Sequence, residues 1–294
     1  MTTKAEREMI EQTRLEEMKS FDMEKSDGFK YLIGVDEVGR GPLAGPVVAC
    51  AVIMPEDWDV KGINDSKKLS ENRRNELALN IKDSSVAIGL GFVNSKKIDR
   101  FNIRNATKMA MIIAVRRCIE NFQEQGAESC VIKDYESKNM DSLAKENLNL
   151  TAIENLNCKT GAEITLDVNS NGVLSKSGNL LKRRIKILID GDMEIPLEQL
   201  EADFEKDGFV ISQETVIKGD SKSLAIGAAS IVAKVARDEF MKAYSKRAPE
   251  FGFEKHKGYG TKAHYEAISS YGLSPIHRKT FLKKVLDKME EELI

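Results

Sequence analysis

The sequence predicts an α/β protein. Three observations carry this prediction: short β-branched runs end on or beside an aspartate, apolar residues recur at helical spacing between those runs, and the last part of the chain is mainly helical.

Residues 2 to 19 set Ile10, Leu15 and Met18 among many charges, which reads as a short amphipathic helix ahead of the main domain. Tyr31 to Val35 is the first apolar run and stops on Asp36 and Glu37; Val47 to Met54 is the second. Between them, Gly39-Arg40-Gly41-Pro42-Leu43-Ala44-Gly45-Pro46 has too many glycines and prolines for a helix and reads as a tight connection between strands. Ser70 is placed to cap a helix running to about Lys82. Val86 to Val93 reads as a third strand, and Ser95 opens a polar turn. From about Arg104 to Phe122, Met109, Ile112, Ile113, Val115 and Ile119 form the stripe of a long core-facing helix.

From Glu124 to about Lys182 the texture changes to a polar stretch rich in Asn, Lys and Glu, which reads as an insertion. Within it, Leu148, Leu150, Ile153 and Leu156 suit one helix face, and Ala162 to Leu174 suits a hairpin turning at Asn169-Ser170-Asn171-Gly172. Strand character returns at Ile185 to Ile189, ending in Asp190-Gly191-Asp192, and at Phe209 to Ile217, ending in Lys218-Gly219-Asp220. Ser223 to about Tyr244, His264 to Ser270 and Phe281 to Glu291 are helical.

With 294 residues, 41% of them hydrophobic, the chain has material for one large domain or two modest ones. No stretch of about 18 uncharged apolar residues is present, and the first thirty residues lack the apolar run of a signal peptide, so the expected setting is the cytoplasm, with no membrane partner. The four cysteines, Cys50, Cys118, Cys130 and Cys158, are widely spaced without a C-x-x-C pair, which predicts reduced, buried thiols. The three histidines, His256, His264 and His277, are too few and too scattered along the chain for a metal cage. The formal net charge of -2 argues at first against a nucleic-acid partner.

The aspartates at the ends of apolar runs point to chemistry. A strand that ends in a carboxylate presents it at the edge of the sheet, where open α/β sheets bind ligands. Like charges at about 4 Å repel by several kcal/mol even at an effective dielectric of about 20, so a cluster of such groups needs a counter-charge. A hard divalent cation, Mg²⁺ or Mn²⁺, supplies it through oxygen ligands, and a pair of them suits phosphodiester hydrolysis. Gly39-Arg40-Gly41 lets backbone approach a substrate and offers a guanidinium to phosphate. The charge is also unevenly spread: Lys218 to Lys284 carries fourteen Lys/Arg against six Asp/Glu, a local net of +8. That stretch holds His256-Lys257-Gly258-Tyr259-Gly260-Thr261, whose aromatic ring framed by glycines suits packing on a sugar or base.

Taken together, these segments resemble ribonuclease HII. Tyr31 to Pro46, Y-L-I-G-V-D-E-V-G-R-G-P-L-A-G-P, is similar to the family's opening signature nearly residue for residue. Asp65-Ser66-Lys67-Lys68-Leu69-Ser70, Ile98 to Ile103, Lys218 to Ser223, Ala228 to Asp238, His256 to Thr261 and Ser274 to Arg278 match in order. Ribonuclease HIII fits less well, having lysine where Arg40 stands and no P-L-A-G-P after it.

The resemblance implies an RNase H-like fold, with a central mixed five-stranded sheet flanked by helices and a helical C-terminal region, to which this chain adds an insertion of about 50–60 residues. The implied organisation is an N-terminal helical arm over 1–29, a catalytic domain over 30–260 interrupted at 125–183, and a helical region over 261–294. The implied activity is cleavage of the RNA strand of RNA/DNA hybrids and incision 5′ to a single ribonucleotide in duplex DNA, leaving 3′-hydroxyl and 5′-phosphate ends. By position, Asp36, Glu37, Asp190 and Asp220 become the catalytic acids and the ligands of a two-metal Mn²⁺ or Mg²⁺ site. Gly39, Arg40, Gly41, Ser66, Lys67 and Tyr259 become substrate-binding residues, and a monomer is implied.

Three departures from the family pattern stand out, one of them a gap from Asp190 to Asp220 longer than most bacterial relatives show. The path from the long helix to the strand ending in Asp-Gly takes about sixty residues, far beyond an ordinary connection, so Asp134, after Cys130-Val131-Ile132-Lys133, is the fallback third acid. Asp192, where the family tends to have Asn, has no assignable role. Two other readings remain at this point, a scaffold that keeps an old nuclease frame and a metal-dependent phosphatase. The phosphatase reading leaves the G-R-G loop and the basic C-terminal stretch unexplained.

Overall fold

The computed structural model describes residues 3–26, 28–55, 58, 62–63, 66, 69–124, 183–283 and 287. A five-stranded mixed sheet forms its centre. In chain order the strands are β1 (Tyr31–Val38), β2 (Val47–Ile53), β3 (Ala87–Val93), β4 (Arg183–Asp190) and β5 (Phe209–Val216), arranged β3-β2-β1-β4-β5 across the sheet. The first three pair antiparallel, while β4 runs parallel to both β1 and β5. The helices are α1 (Lys4–Ser26), α2 (Glu71–Ser84), α3 (Ser95–Glu124), α4 (Glu198–Phe204), α5 (Leu224–Ser245), α6 (Phe253–His256) and α7 (Lys262–Tyr271). Among the described residues no helix is long and apolar enough to cross a membrane.

Strand alternation divides the core between the two faces of the sheet. Ile33, Val35, Val47, Ala49, Ala51, Ile185, Ile187 and Ile189 pack on one face with the α3 residues Ala110, Ala114 and Cys118. Val48, Cys50, Val52, Ile88 and Leu90 pack on the other with the α5 residues Ala228, Ile231 and Val232. Small residues let each helix lie directly on the sheet. A Cβ at Gly91 would sit 1.9 Å from the Ala110 carbonyl oxygen, and one at Gly34 would sit 2.1 Å from the Ala225 carbonyl carbon.

Ser70 caps α2 by accepting from the Arg73 N–H, as its position predicts. The long helix starts earlier than the apolar stripe suggests. Asn94 accepts from the Lys97 N–H at 3.0 Å to open a first segment at Ser95. Asn102 then takes φ 66° and accepts from the Asn105 N–H at 3.1 Å, breaking the helix and restarting it. The short α4, with Leu200 and Phe204 buried, lies in a segment where the reading of the sequence expects no element. Cys50 and Cys118 are buried free thiols, as predicted. Helix α1 is docked on the domain: Leu15 and Met18 are buried, Lys25 pairs with Glu214, and Asp22 accepts from the Ala225 N–H at 3.0 Å at the start of α5. Burial raises Asp22 to a pKa of about 6. The expected helix face at Leu148–Leu156, the hairpin at 162–174, the fallback Asp134, Cys130 and Cys158, and most of the helix expected over 281–291 lie outside the described residues.

Because Gly91 leaves no room above it, Gly91→Ala should lower unfolding free energy by about 2 kcal/mol or more, the scale of overpacking in a tight core. Urea unfolding followed by far-UV circular dichroism checks this; an unchanged midpoint would show that α3 yields freely.

Candidate active site

The register of the parallel strands sets the acids side by side. Val35 of β1 lies opposite Ile189 of β4, so Asp36 and Asp190 are the next residues along adjacent strands. Asp190 in turn lies opposite Val216, the last residue of β5, and Asp220 follows in the 3-10 turn Gly219–Ser221. Three neighbouring parallel strands thus deliver carboxylates at their C-terminal ends. β1 itself runs on past the acids to Val38, because its other edge stays paired with β2 through Val38 and Val48.

Asp36, Glu37 and Asp190 each have a defined support. Asp36 is buried on the α5 side, takes the Glu37 N–H on its Oδ1 at 2.7 Å and is hydrogen-bonded by the Ser230 hydroxyl of α5. Asp190 Oδ1 accepts from the Gly219 N–H at 2.6 Å, tying the end of β4 to the turn that carries Asp220. Glu37 pairs with Arg40 at 3.1 Å. Burial, followed by repulsion from Glu37 and Asp190, raises Asp36 well above the usual carboxylate range. Burial also raises Glu37, against the opposing pull of Arg40.

Glu37 and Asp190 are therefore near enough to Asp36 to disfavour its charge. Among the described residues, however, no three His, Cys, Asp or Glu side chains are gathered tightly enough to hold a metal ion as they stand. In chemistry the donor set suits a hard divalent cation: the donors are all oxygen, and a buried carboxylate repelled by its neighbours gains from a counter-charge.

The Gly39–Pro46 loop lies beside the acids and is fixed from beneath by two buried arginines. Arg278 donates to the carbonyls of Gly39 at 2.6 Å, Arg40 at 2.9 Å and Gly45 at 2.9 and 3.0 Å. Arg237 of α5 donates to Pro46 at 3.0 Å, Ala44 at 3.1 Å and Lys257 at 3.0 Å. Gly39 has φ 91°, and a Cβ there would sit 2.3 Å from Arg237 Nε, so the loop needs glycine for conformation and for space. With its backbone held, the Arg40 side chain stays half exposed at 50%. Tyr259, in the segment whose Gly258 carbonyl accepts from the Leu43 N–H at 2.8 Å, is 44% exposed and lies against Arg237.

The remaining candidates fall differently. Ser66 is buried, with its hydroxyl 3.0 Å from that of Ser230, so its side chain faces the support of Asp36. Lys67 lies outside the described residues, and Asp192 is exposed beyond the end of β4. Sequence reasoning missed Ser230, Arg237 and Arg278 as contributors to the site. For Arg237 a signal existed: it is a charged residue on the core face of an Ala- and Val-rich helix.

Comparison with known proteins places the chain in a family. The ribonuclease HII family profile matches residues 33–142 and 130–284, two segments that overlap inside the insertion. A ribonuclease HII of Clostridioides difficile is 40% identical over 277 residues, covering 94% of this chain and 80% of the relative. Another, of Ruminiclostridium cellulolyticum, is 35% identical over 288 residues, covering 98% and 83%. Among solved structures, the ribonuclease H2 of Pyrococcus horikoshii aligns at 22% identity with a TM-score of 0.48, covering 89% of this chain and 99% of that one. A mixed five-stranded sheet with acids at the ends of its parallel strands, the family profile across both halves of the chain and relatives at this identity have one meaning: the chain belongs to the ribonuclease HII family, hydrolases of the ribonuclease H type.

Proposed function

We propose that this chain is an endoribonuclease that cuts the RNA strand of RNA/DNA hybrids and incises 5′ to single ribonucleotides in duplex DNA, leaving 3′-hydroxyl and 5′-phosphate ends. One observation carries the reading: the acids at the ends of β1, β4 and β5 lie beside a rigid G-R-G loop whose arginine side chain remains accessible. Asp36, Glu37, Asp190 and Asp220 are the residues that would hold two Mg²⁺ or Mn²⁺ ions, which when bound supply charge neutralisation, water activation and support for the leaving oxygen.

The chain's own residues prepare that chemistry. Ser230 fixes the Asp36 carboxyl, and the Gly219 N–H fixes Asp190. Arg40, Lys67 and the loop amides of Gly39 and Gly41 bind phosphate and the 2′-hydroxyl at the RNA-to-DNA junction, while Tyr259 stacks on the sugar. Ser66 contributes through Ser230 and its backbone. All three histidine rings are engaged with one another or with backbone, so none serves as a general base; direct attack by water, the chemistry two such cations would support, needs no covalent enzyme intermediate. The proposal extends to a cytoplasmic monomer, with 30–260 as the catalytic unit, 1–29 as an arm and 261–294 as a C-terminal region that supports the substrate loops.

Asp36→Asn and Asp190→Asn should each reduce cleavage of a duplex carrying one ribonucleotide by about 10³-fold or more, while duplex affinity changes little. Single-turnover cleavage with Mn²⁺ or Mg²⁺ and mapping of the cut test this; wild-type-like turnover in either variant would sink the assignment. Tyr259→Ala should slow cutting at a single ribonucleotide more than cutting within a long hybrid, and an equal loss on both substrates would remove its reading role.

The raised carboxylates give a pH test. With folded values above the unfolded ones of about 4, the metal-free fold binds more protons than the unfolded chain, so its stability falls as pH rises through that window. Mn²⁺ binds the ionised acids, so its upward shift of the thermal midpoint should be larger at about pH 8 than at about pH 5. Melting curves with and without Mn²⁺ check this; a shift independent of pH would place the cation elsewhere.

A further inference from the structure

His256, His264 and His277, scattered in the sequence, come together in the fold. The His256 and His264 rings stack at 4.4 Å between centroids, and the His264 and His277 rings lie 5.2 Å apart. Phe253 packs against all three. His264 and His277 are buried.

The hydrogen bonds leave each ring a single neutral form. His277 Nδ1 lies 2.8 Å from the Ser274 N–H, a group that only donates, so Nδ1 carries the lone pair and the ring proton is on Nε2. His264 Nδ1 lies 2.9 Å from the Tyr259 carbonyl, a group that only accepts, so the His264 proton is on Nδ1 and its Nε2 is the acceptor. The two assignments, made from opposite ends, meet at the 3.0 Å contact between the Nε2 atoms: His277 donates and His264 accepts. His256 closes the set, accepting from the Gly258 N–H on Nδ1 at 3.2 Å and donating from Nε2 to the Phe251 carbonyl at 2.8 Å. A second proton on any ring would bring two donors face to face. Burial works in the same direction, lowering His264 and taking His277 to about 4.

Tyr259 is where this chain of bonds ends. Its N–H donates to the His256 carbonyl at 2.9 Å, its carbonyl accepts from the His264 Nδ1–H, and the Gly258 N–H before it is held by the His256 ring. Lys257 and Gly258, with φ of 51° and 84°, bend the backbone so that both sides of Tyr259 reach the histidines while the ring is left exposed. We propose that His256, His264 and His277 are positioning residues: His277 and His264 form a relay of fixed tautomers from Ser274 to the Tyr259 carbonyl, His256 holds the Gly258 N–H, and together they keep the exposed Tyr259 ring at one place beside Arg237. The proposal rests on the reading role of Tyr259 given above and says how that role is built.

The test has a spectroscopic arm and a kinetic arm, both on the full chain. In protein labelled with ¹⁵N-histidine at about pH 7.5, the ring resonances should show His264 as the Nδ1–H form and His256 and His277 as Nε2–H forms. A charged ring, or His264 protonated on Nε2, overturns the relay. His264→Phe keeps a flat ring and removes both hydrogen bonds; kcat on a single-ribonucleotide duplex should fall about tenfold with KM changed less than about twofold. His264→Asn, whose amide can still donate to the Tyr259 carbonyl, should recover part of the loss. In a Tyr259→Ala background, His264→Phe should cost nothing further; a full additional tenfold loss would mean a general structural role and overturn the proposal. If His264→Phe does not fold, the same comparison made with His277→Phe decides it. If Tyr259→Ala alone leaves kcat unchanged, the reading role fails, whereas wrong tautomers or an unmoved Tyr259 amide resonance in His264→Phe overturn the positioning itself.

Discussion

Two guanidinium groups buried against backbone carbonyls are the constraint on which the site depends. Arg237 and Arg278 bond carbonyls from Gly39 to Pro46 and from Lys257. Burial lowers Arg237 to about 10 and Arg278 to about 9, so both cations persist at neutral pH despite losing their water. Desolvating a charge costs several kcal/mol, and here carbonyl dipoles offset that cost. Removing either side chain would leave buried carbonyls without a donor. The two arginines therefore bind chain segments far apart in sequence into one unit: the loop after β1, helix α5, the Tyr259 segment and the C-terminal His277-Arg278. Backbone bonds reinforce the same seam, with the Gly45 N–H donating to Ile276 at 2.9 Å and the Arg278 N–H to Leu43 at 2.8 Å.

Electrostatics around that unit explains why whole-chain charge was a poor guide. The acids that repel one another are concentrated at the ends of three strands, and positive charge is concentrated in the last quarter of the chain, part of it buried under the G-R-G loop. An average over these regions is near zero and describes neither. A polyanion that also requires cations meets both fields at once, which suits the proposed substrate.

Much of this was legible in the sequence because it is local. Apolar runs ending on Asp36, Asp190 and near Asp220 mark the strand ends directly, and the register of β1, β4 and β5 then places the acids together. Ser70 before α2 and Ser223 before α5 announce their helices by capping chemistry. What was not legible depends on contacts across long sequence separations. Asn102 looks like any polar residue until its positive φ breaks α3, and Ser66 looks like a loop hydroxyl until Ser230 is found beside it. The histidines looked scattered because the separation from His256 to His277 disappears only when the last loop folds back over α6 and α7. Arg278 carries no local mark at all, since its partners lie in a loop near the start of the chain.

Helix α5 joins the acids to the G-R-G loop and the Tyr259 segment. Ser230, which supports Asp36, and Arg237, which supports the G-R-G loop and the Lys257 carbonyl, are two turns apart on the same helix, an axial distance of about 10 Å. An α-helix is stiff over that length, and this one is pressed flat on the sheet where Ala225 crosses Gly34. The spacing between the acids and the loop is thus set by helix rise rather than by loop conformation. The Tyr259 segment is referred to the same helix through Arg237, and to α7 and the C-terminal loop through the histidines. The proposed cut at a fixed step from a single sugar needs such a spacing, and here rigid elements fix it before any substrate arrives.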